Sequence, residues 1–213
     1  MKKSRIIMAA AALALIISLA GCAKVWTVDF ARVDDISDWN DDGQGTKELV
    51  AGKGLNIDGW GTLGSPVAFD ADFEASVKFR LKASAGNYLN LVFYFCDTLN
   101  FDPDNYFFLS LFNVGEAGKE GFQIMDSTKS IGTQVASGAN IDLPYIDRDG
   151  DNTFLMKKTG NFIEMYINGK LLYEFVFTYC QGAKYYVRFR GETWGSAVLT
   201  FKSIKVSYKG SMI

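Results

Sequence analysis

The chain is expected to fold as an all-β protein, and three observations carry that expectation. Apolar residues recur at every second position along most of its length, and no long stretch carries them at helical spacing. Aromatic and β-branched residues dominate these runs, as suits a pleated and half-buried surface. Turn chemistry separates them at Asp102-Pro103-Asp104, Glu116-Ala117-Gly118, Asp149-Gly150, Thr159-Gly160-Asn161 and Asn168-Gly169. Many short strands with frequent turns imply a sandwich or a barrel.

At the N-terminus, Lys2, Lys3 and Arg5 precede an apolar run that begins at Ile6 and ends in Leu19-Ala20-Gly21-Cys22. A basic start, an apolar core and small residues before the cut describe a secretory signal, and the run is shorter than the roughly 20 residues a spanning helix needs. The segment resembles a bacterial lipoprotein signal ending in a lipobox. That resemblance implies removal of residues 1–21 and acylation of Cys22 with fatty chains such as palmitate; an uncleaved membrane anchor is the alternative. Ala23 stands where an Asp would resemble an inner-membrane retention signal. The expected location is therefore the cell envelope, lipid-anchored at the outer membrane on its periplasmic or surface face.

Removing 21 of the 213 residues leaves 192, a length that suits one domain over residues 22–213. Such a chain buries about 70% of its unfolded surface and can fold on its core alone. The first 21 residues hold three of the 22 basic side chains and none of the 24 acidic ones, so the remainder is mildly acidic. Nucleic acid is not an expected partner, because phosphate neutralisation needs a dense Lys and Arg footprint. There is no histidine anywhere, which removes the usual base for Ser or Cys nucleophiles and the commonest ligand of catalytic zinc. Cys96 and Cys180 remain either a disulfide or two buried thiols.

No Pro/Ser-rich tether follows Cys22, since Val25 to Phe30 already reads as a strand. In Phe73 to Leu81 the odd positions are apolar and the even ones mostly charged, giving one buried and one wet face. Tyr88 to Cys96 places Leu89, Leu91, Phe93 and Phe95 on one side and Asn90, Val92 and Tyr94 on the other. Tyr106 to Asn113 is nearly apolar throughout and is expected to be a central strand covered on both sides, with Phe122 to Met125 as its neighbour. Phe154 to Phe177 reads as two successive hairpins, the second closing at Asn168-Gly169 in a two-residue type I′ turn. Tyr185 to Arg190 and Ala197 to Tyr208 are expected to end the meander.

Several of these segments resemble the concanavalin A-like jelly rolls, including laminin G-like and 3-keto-disaccharide hydrolase-like domains: Asn152-Thr153-Phe154, Gly160-Asn161, Tyr166 to Lys170, Asp72-Phe73-Glu74, and Phe201 to Val206 as a closing strand beside the first. The resemblance implies a jelly-roll sandwich of two antiparallel sheets over roughly Val25 to Tyr208. It is specific to fold and not to function. The family-16 glycoside hydrolases of this fold carry a Glu-x-Asp-x-x-Glu strand, and no such strand is present. Where keto-disaccharide hydrolases often have Gln-x-His-Gly, this chain has Arg188, Phe189, Arg190 and Gly191, and a guanidinium cannot serve as a base near neutral pH.

Arg188 and Arg190 alternate with Val187 and Phe189, so both should leave the sheet opposite the core. On a concave sheet they would suit a carboxylate or sulfate by forked hydrogen bonds; the alternative is cross-strand pairing with acids such as Glu74. Asn90, Tyr94, Gln123 and Tyr186 are expected to share that face as a sugar-binding surface. Trp60 and Trp194, each beside glycine in a loop, join the candidates, the alternative being that their rings cover sandwich edges. Trp26 and Trp39 are assigned to the core. Asp147, Asp149 and Asp151 resemble the first half of an oxygen-ligand calcium loop, although Lys158 stands where its glutamate would be. A structural calcium ion or a solvated turn fits that segment. The expected function is non-catalytic carbohydrate binding, with a glycan or another envelope or host surface component as partner. The rivals are a keto-disaccharide hydrolase-type enzyme and a laminin G-like interaction module.

Overall fold

In the computed structural model, residues 23–70, 72–98, 105–128, 132–141, 143–178 and 184–213 are described. The signal segment, Cys22, Cys180 and the turn Asp102-Pro103-Asp104 lie outside them.

The period-two pattern becomes two antiparallel sheets packed face to face. One sheet contains β1 (Lys24–Asp29), β3 (Thr46–Val50), β4 (Gly54–Asp58), β6 (Phe73–Lys82), β11 (Asp151–Thr159), β12 (Phe162–Ile167), β13 (Lys170–Val176) and β15 (Val198–Tyr208). Its order is β13-β12-β11-β6-β15-β4-β3, with β1 also on β15. The other contains β2 (Asn40–Asp41), β5 (Gly61–Asp70), β7 (Leu89–Cys96), β8 (Asn105–Val114), β9 (Glu120–Thr128), β10 (Gly132–Ile141) and β14 (Lys184–Thr193), in the order β10-β9-β8-β7-β14-β5-β2. The closing strand returns beside the first, Lys24 facing Tyr208 and Asp29 facing Ser203.

Burial follows the alternation. In β6 every odd residue is buried and the even ones are largely exposed; in β7 Leu89, Leu91, Phe93 and Phe95 are fully buried. One hydrophobic cluster joins the inner faces of both sheets. At its centre Phe93 of β7 stacks on Phe154 of β11 at 4.2 Å and 14°, and each ring so buried contributes about 2–3 kcal/mol. Trp39 is buried, and Trp26 is packed against the same cluster.

The predicted Asn-Gly hairpin is present: Asn168 and Gly169 have φ of 49° and 74°, as a type I′ turn requires. Asn168 earns its left-handed backbone by bonding through its side chain, Oδ1 accepting from Thr153 N at 2.8 Å and Nδ2 donating to Tyr145 O at 2.8 Å. Two expectations change. The meander stops at β13, the sheet edge, because β14 crosses to the other sheet and β15 crosses back. And β8 is covered on one side only: Phe107, Leu109 and Leu111 are buried, while Tyr106, Phe108, Ser110 and Phe112 are half-buried on the outer face. Those aromatics shield one another, Phe108 lying 5.3 Å from Tyr94 and 6.1 Å from Tyr106 between ring centres, so no third layer is needed.

The candidate ligand-binding face

The outer surfaces of the two sheets differ in kind. On the eight-stranded sheet, β6 presents Glu74, Lys78, Arg80 and Lys82 to solvent. On the seven-stranded sheet the register brings together polar and aromatic side chains. Arg188 faces Tyr94, Arg190 faces Val92 and Glu192 faces Asn90 across β14 and β7; Tyr94 faces Phe108 and Val92 faces Ser110 across β7 and β8; Ser110 faces Gln123 across β8 and β9. Asn90, Tyr94, Gln123, Tyr186, Arg188 and Arg190 therefore share one face, as alternation places them. Neither arginine pairs with Glu74, which lies on the opposite sheet 4.0 Å from Lys157.

A cavity of about 290 Å³ opens on this face, lined by Asp42, Gln44, Thr62, Tyr94, Cys96, Arg188 and Arg190. Arg188 is 3% exposed, and its Nη2 donates to Thr98 O at 2.7 Å. Burial lowers its pKa, against the pull of nearby negative groups. Asp42 is held by Lys47 Nζ at 2.8 Å and by Thr62 N at 3.0 Å. Burial works against its charge, yet these hydrogen bonds prevail and keep its carboxyl below the usual range. The Cys96 thiol is pushed up to about 11, chiefly by burial, and is an inert wall of the cavity. Cys96 is a free thiol; its candidate bridge partner, Cys180, is outside the described residues.

At the far end of β14 the face becomes aromatic. Arg190 sets its guanidinium carbon 4.5 Å from the centre of the Trp60 ring, Trp60 meets Trp194 edge-on at 6.4 Å, and Trp194 stacks on Tyr88 at 4.8 Å. Trp60 has φ of 65°, a strained backbone for a bulky residue. The loop is pinned by Asp58, whose Oδ1 accepts from Gly59 N at 2.7 Å and Thr193 N at 3.2 Å. It also packs on Gly45, where any Cβ would strike the Asp58 carbonyl and Gly61 N. From Arg188 to Trp194 the face runs about 20 Å along the strand direction.

Acid/base chemistry is thinly represented here. The outward positions of β7, β8 and β14 carry one carboxylate, Glu192, and Asp42 in the cavity wall is a second, bound to Lys47. Burial raises the pKa of Glu192, with Arg190 opposing and Asp58 reinforcing the shift. Retaining or inverting glycoside hydrolysis needs two carboxyl groups flanking one bond.

Two aspartates of the 147–151 segment have partners within the protein. Asp147 Oδ1 accepts from Asp149 N at 3.1 Å, and Asp151 pairs with Lys202 at 2.7 Å and Arg80 at 3.2 Å. Among the described residues no three His, Cys, Asp or Glu side chains are grouped to hold a metal ion. Asp42, Gln44 and Thr62 entered the cavity without a sequence signal, because the pairing of the two-residue β2 with β5 leads Asp42 and Gln44 to Thr62 of β5. Phe108 could have been found by extending the alternation of Tyr106 to Asn113.

Two antiparallel sheets with a closing strand beside the first define a concanavalin A-like jelly-roll sandwich, the architecture of lectin and glucanase domains. No protein-family model matches the chain, and no curated protein matches it in sequence. Among solved structures it is similar to a protein of unknown function with a galectin-like fold from Bacillus subtilis, at TM-score 0.65 and 16% identity over 88% of this chain and 96% of that one. It is also similar to the carbohydrate recognition domain of Emp47p, at 0.66 and 12% over 90% and 99%. The β-glucanase of Bacillus licheniformis gives 0.60 and 11% over 90% and 100%. Identities this low establish the fold alone.

Proposed function

We propose that this chain is a carbohydrate-binding module that grips a glycan on the outer face of its seven-stranded sheet without cleaving it, held on the outer membrane by acylated Cys22. The observation that carries the proposal is the row along β14. Arg188, Arg190, Trp60 and Trp194 follow one another beside Tyr94 and the 290 Å³ cavity, offering planar donors and ring faces in the mixture a pyranose surface requires. The carbohydrate recognition domain and the glucanase among its structural neighbours support the same substrate class. One carboxylate on the central strands, with Asp42 in the cavity wall already bound by Lys47 and the Thr62 amide, supports binding over hydrolysis.

The test is a glycan array probed with the full chain, alongside Arg188→Ala and Arg190→Ala. The reading predicts at least one sugar class whose binding falls about tenfold or more in the double variant. Absence of any bound sugar, or binding indifferent to both substitutions, would overturn it, and release of product from bound oligosaccharide would overturn its non-catalytic part. Anchoring is tested separately by Cys22→Ser, which should move the protein from the membrane fraction to the soluble one.

A further inference from the structure

We infer that the cavity between Arg188 and Arg190 receives an anionic substituent of the bound sugar, a carboxylate or a sulfate ester, so that the preferred ligands are acidic glycans. The inference rests on the face being a glycan site and specifies its chemistry. It begins with the charges in the wall. Two guanidinium groups and one carboxylate line the cavity, and that carboxylate, Asp42, is already engaged by Lys47 and by the Thr62 amide. Lys47 is itself buried, its side chain 4% exposed, and lies 2.6 Å from Asp41. Arg188 is engaged by protein groups of its own, so the charge left to a ligand is that of Arg190, and a half-enclosed wall concentrates its potential.

Arg190 shows what is missing. It makes no ion pair among the described residues, and its Nε is buried without a hydrogen-bond acceptor. Trp60 occupies one face of the guanidinium at 4.5 Å. A guanidinium carries its N–H donors in its own plane, at its edge, the arrangement that receives a two-oxygen anion as a fork. A sugar hydroxyl could accept one such bond but would add nothing against the charge, which among the described residues only Glu192, acting without an ion pair, opposes on this face. Carboxylate or sulfate oxygens answer both, with hydrogen bonds about twice as strong as neutral ones. Arg188, bound to Thr98 O and engaged by further protein groups, shapes the wall two residues along the same face.

Binding of the full chain to three oligosaccharides of matched length, a uronic acid oligomer, a sulfated oligomer and a neutral glucan, separates the possibilities by calorimetry. At least one acidic probe should bind about tenfold or more tightly than the neutral one, with the preference weakening as salt rises. Arg190→Ala should abolish the preference. Arg190→Lys, which keeps the charge and loses the fork, should restore only part of it and guards against misfolding of the alanine variant. The acidic probe that wins identifies the anion. Equal binding of neutral and acidic probes, or failure of both acidic probes to bind, would overturn this inference and leave the glycan reading to the array.

Discussion

The Arg190 guanidinium rests on the face of Trp60, 4.5 Å from ring centre to carbon, although Trp60 holds a left-handed backbone at φ 65°. A tryptophan kept in that region costs about 1–3 kcal/mol, and such strain persists where the surroundings over-determine it. The Asp58 cap and the close approach of Gly45 supply that constraint here. Strain and stacking together predict that stability and binding part company at this residue. Trp60→Gly should be more stable than Trp60→Ala by about 1 kcal/mol, since glycine has no Cβ to oppose the positive φ. Both should lose glycan binding to a similar extent. Thermal melts with a binding assay check this, and equal melting temperatures for the two variants would contradict the strain.

Acid sensitivity should centre on Glu120. Its carboxylate is fully buried, accepting from Gly115 N at 2.8 Å, Leu143 N at 2.7 Å and Arg148 Nε at 2.6 Å. Burial alone would favour the neutral acid, but these donors outweigh it and hold the pKa below its ordinary value. A depressed folded-state pKa gives stability that is present above the unfolded value, about 4.3, and is lost as pH falls through the folded one. Glu120→Gln should cost about 3 kcal/mol near neutrality and flatten the loss below pH 4. Denaturant melts between pH 3 and 7 measure both.

The Asn168-Gly169 turn offers a graded comparison. Asn168→Ala loses bonds to Thr153 N, Tyr145 O and Asn152 Oδ1 and keeps a left-handed φ, so it should cost about 2–3 kcal/mol. Gly169→Ala meets open space at φ 74° and should cost about 1 kcal/mol. A reversed order in urea melts would mean that the side-chain bonds carry little of the turn.

Cys96 should be chemically silent in the native protein. With the thiol pushed up to about 11 by burial, only about a thousandth is thiolate at pH 8. In a Cys22→Ser, Cys180→Ser background, maleimide should label Cys96 only after denaturant is added. Rapid native labelling, read by mass, would show that the cavity wall opens.

Alternation made the sheets legible. Phe73 to Leu81 and Leu89 to Cys96 declared their buried faces because side chains on a strand can point only two ways. Asn168-Gly169 declared its turn because few residues tolerate positive φ twice in succession. The same rule put Arg188, Arg190, Asn90, Tyr94 and Gln123 outside the core. Alternation is blind to what lies across a sheet from what, so Tyr106 to Asn113 read as doubly covered when its outer aromatics line an open face.

The sequence by itself determined the all-β class, the strand faces and the absence of histidine chemistry, since each depends on local pattern or on composition. Only the tertiary structure decided that Trp60 would stack on Arg190, that Lys47 would neutralise Asp42, and that β14 would leave the meander to bring both arginines beside Tyr94. Those relations join residues from about 5 to 130 positions apart, and their partners are chosen by how two sheets close over one core, information that no single strand carries.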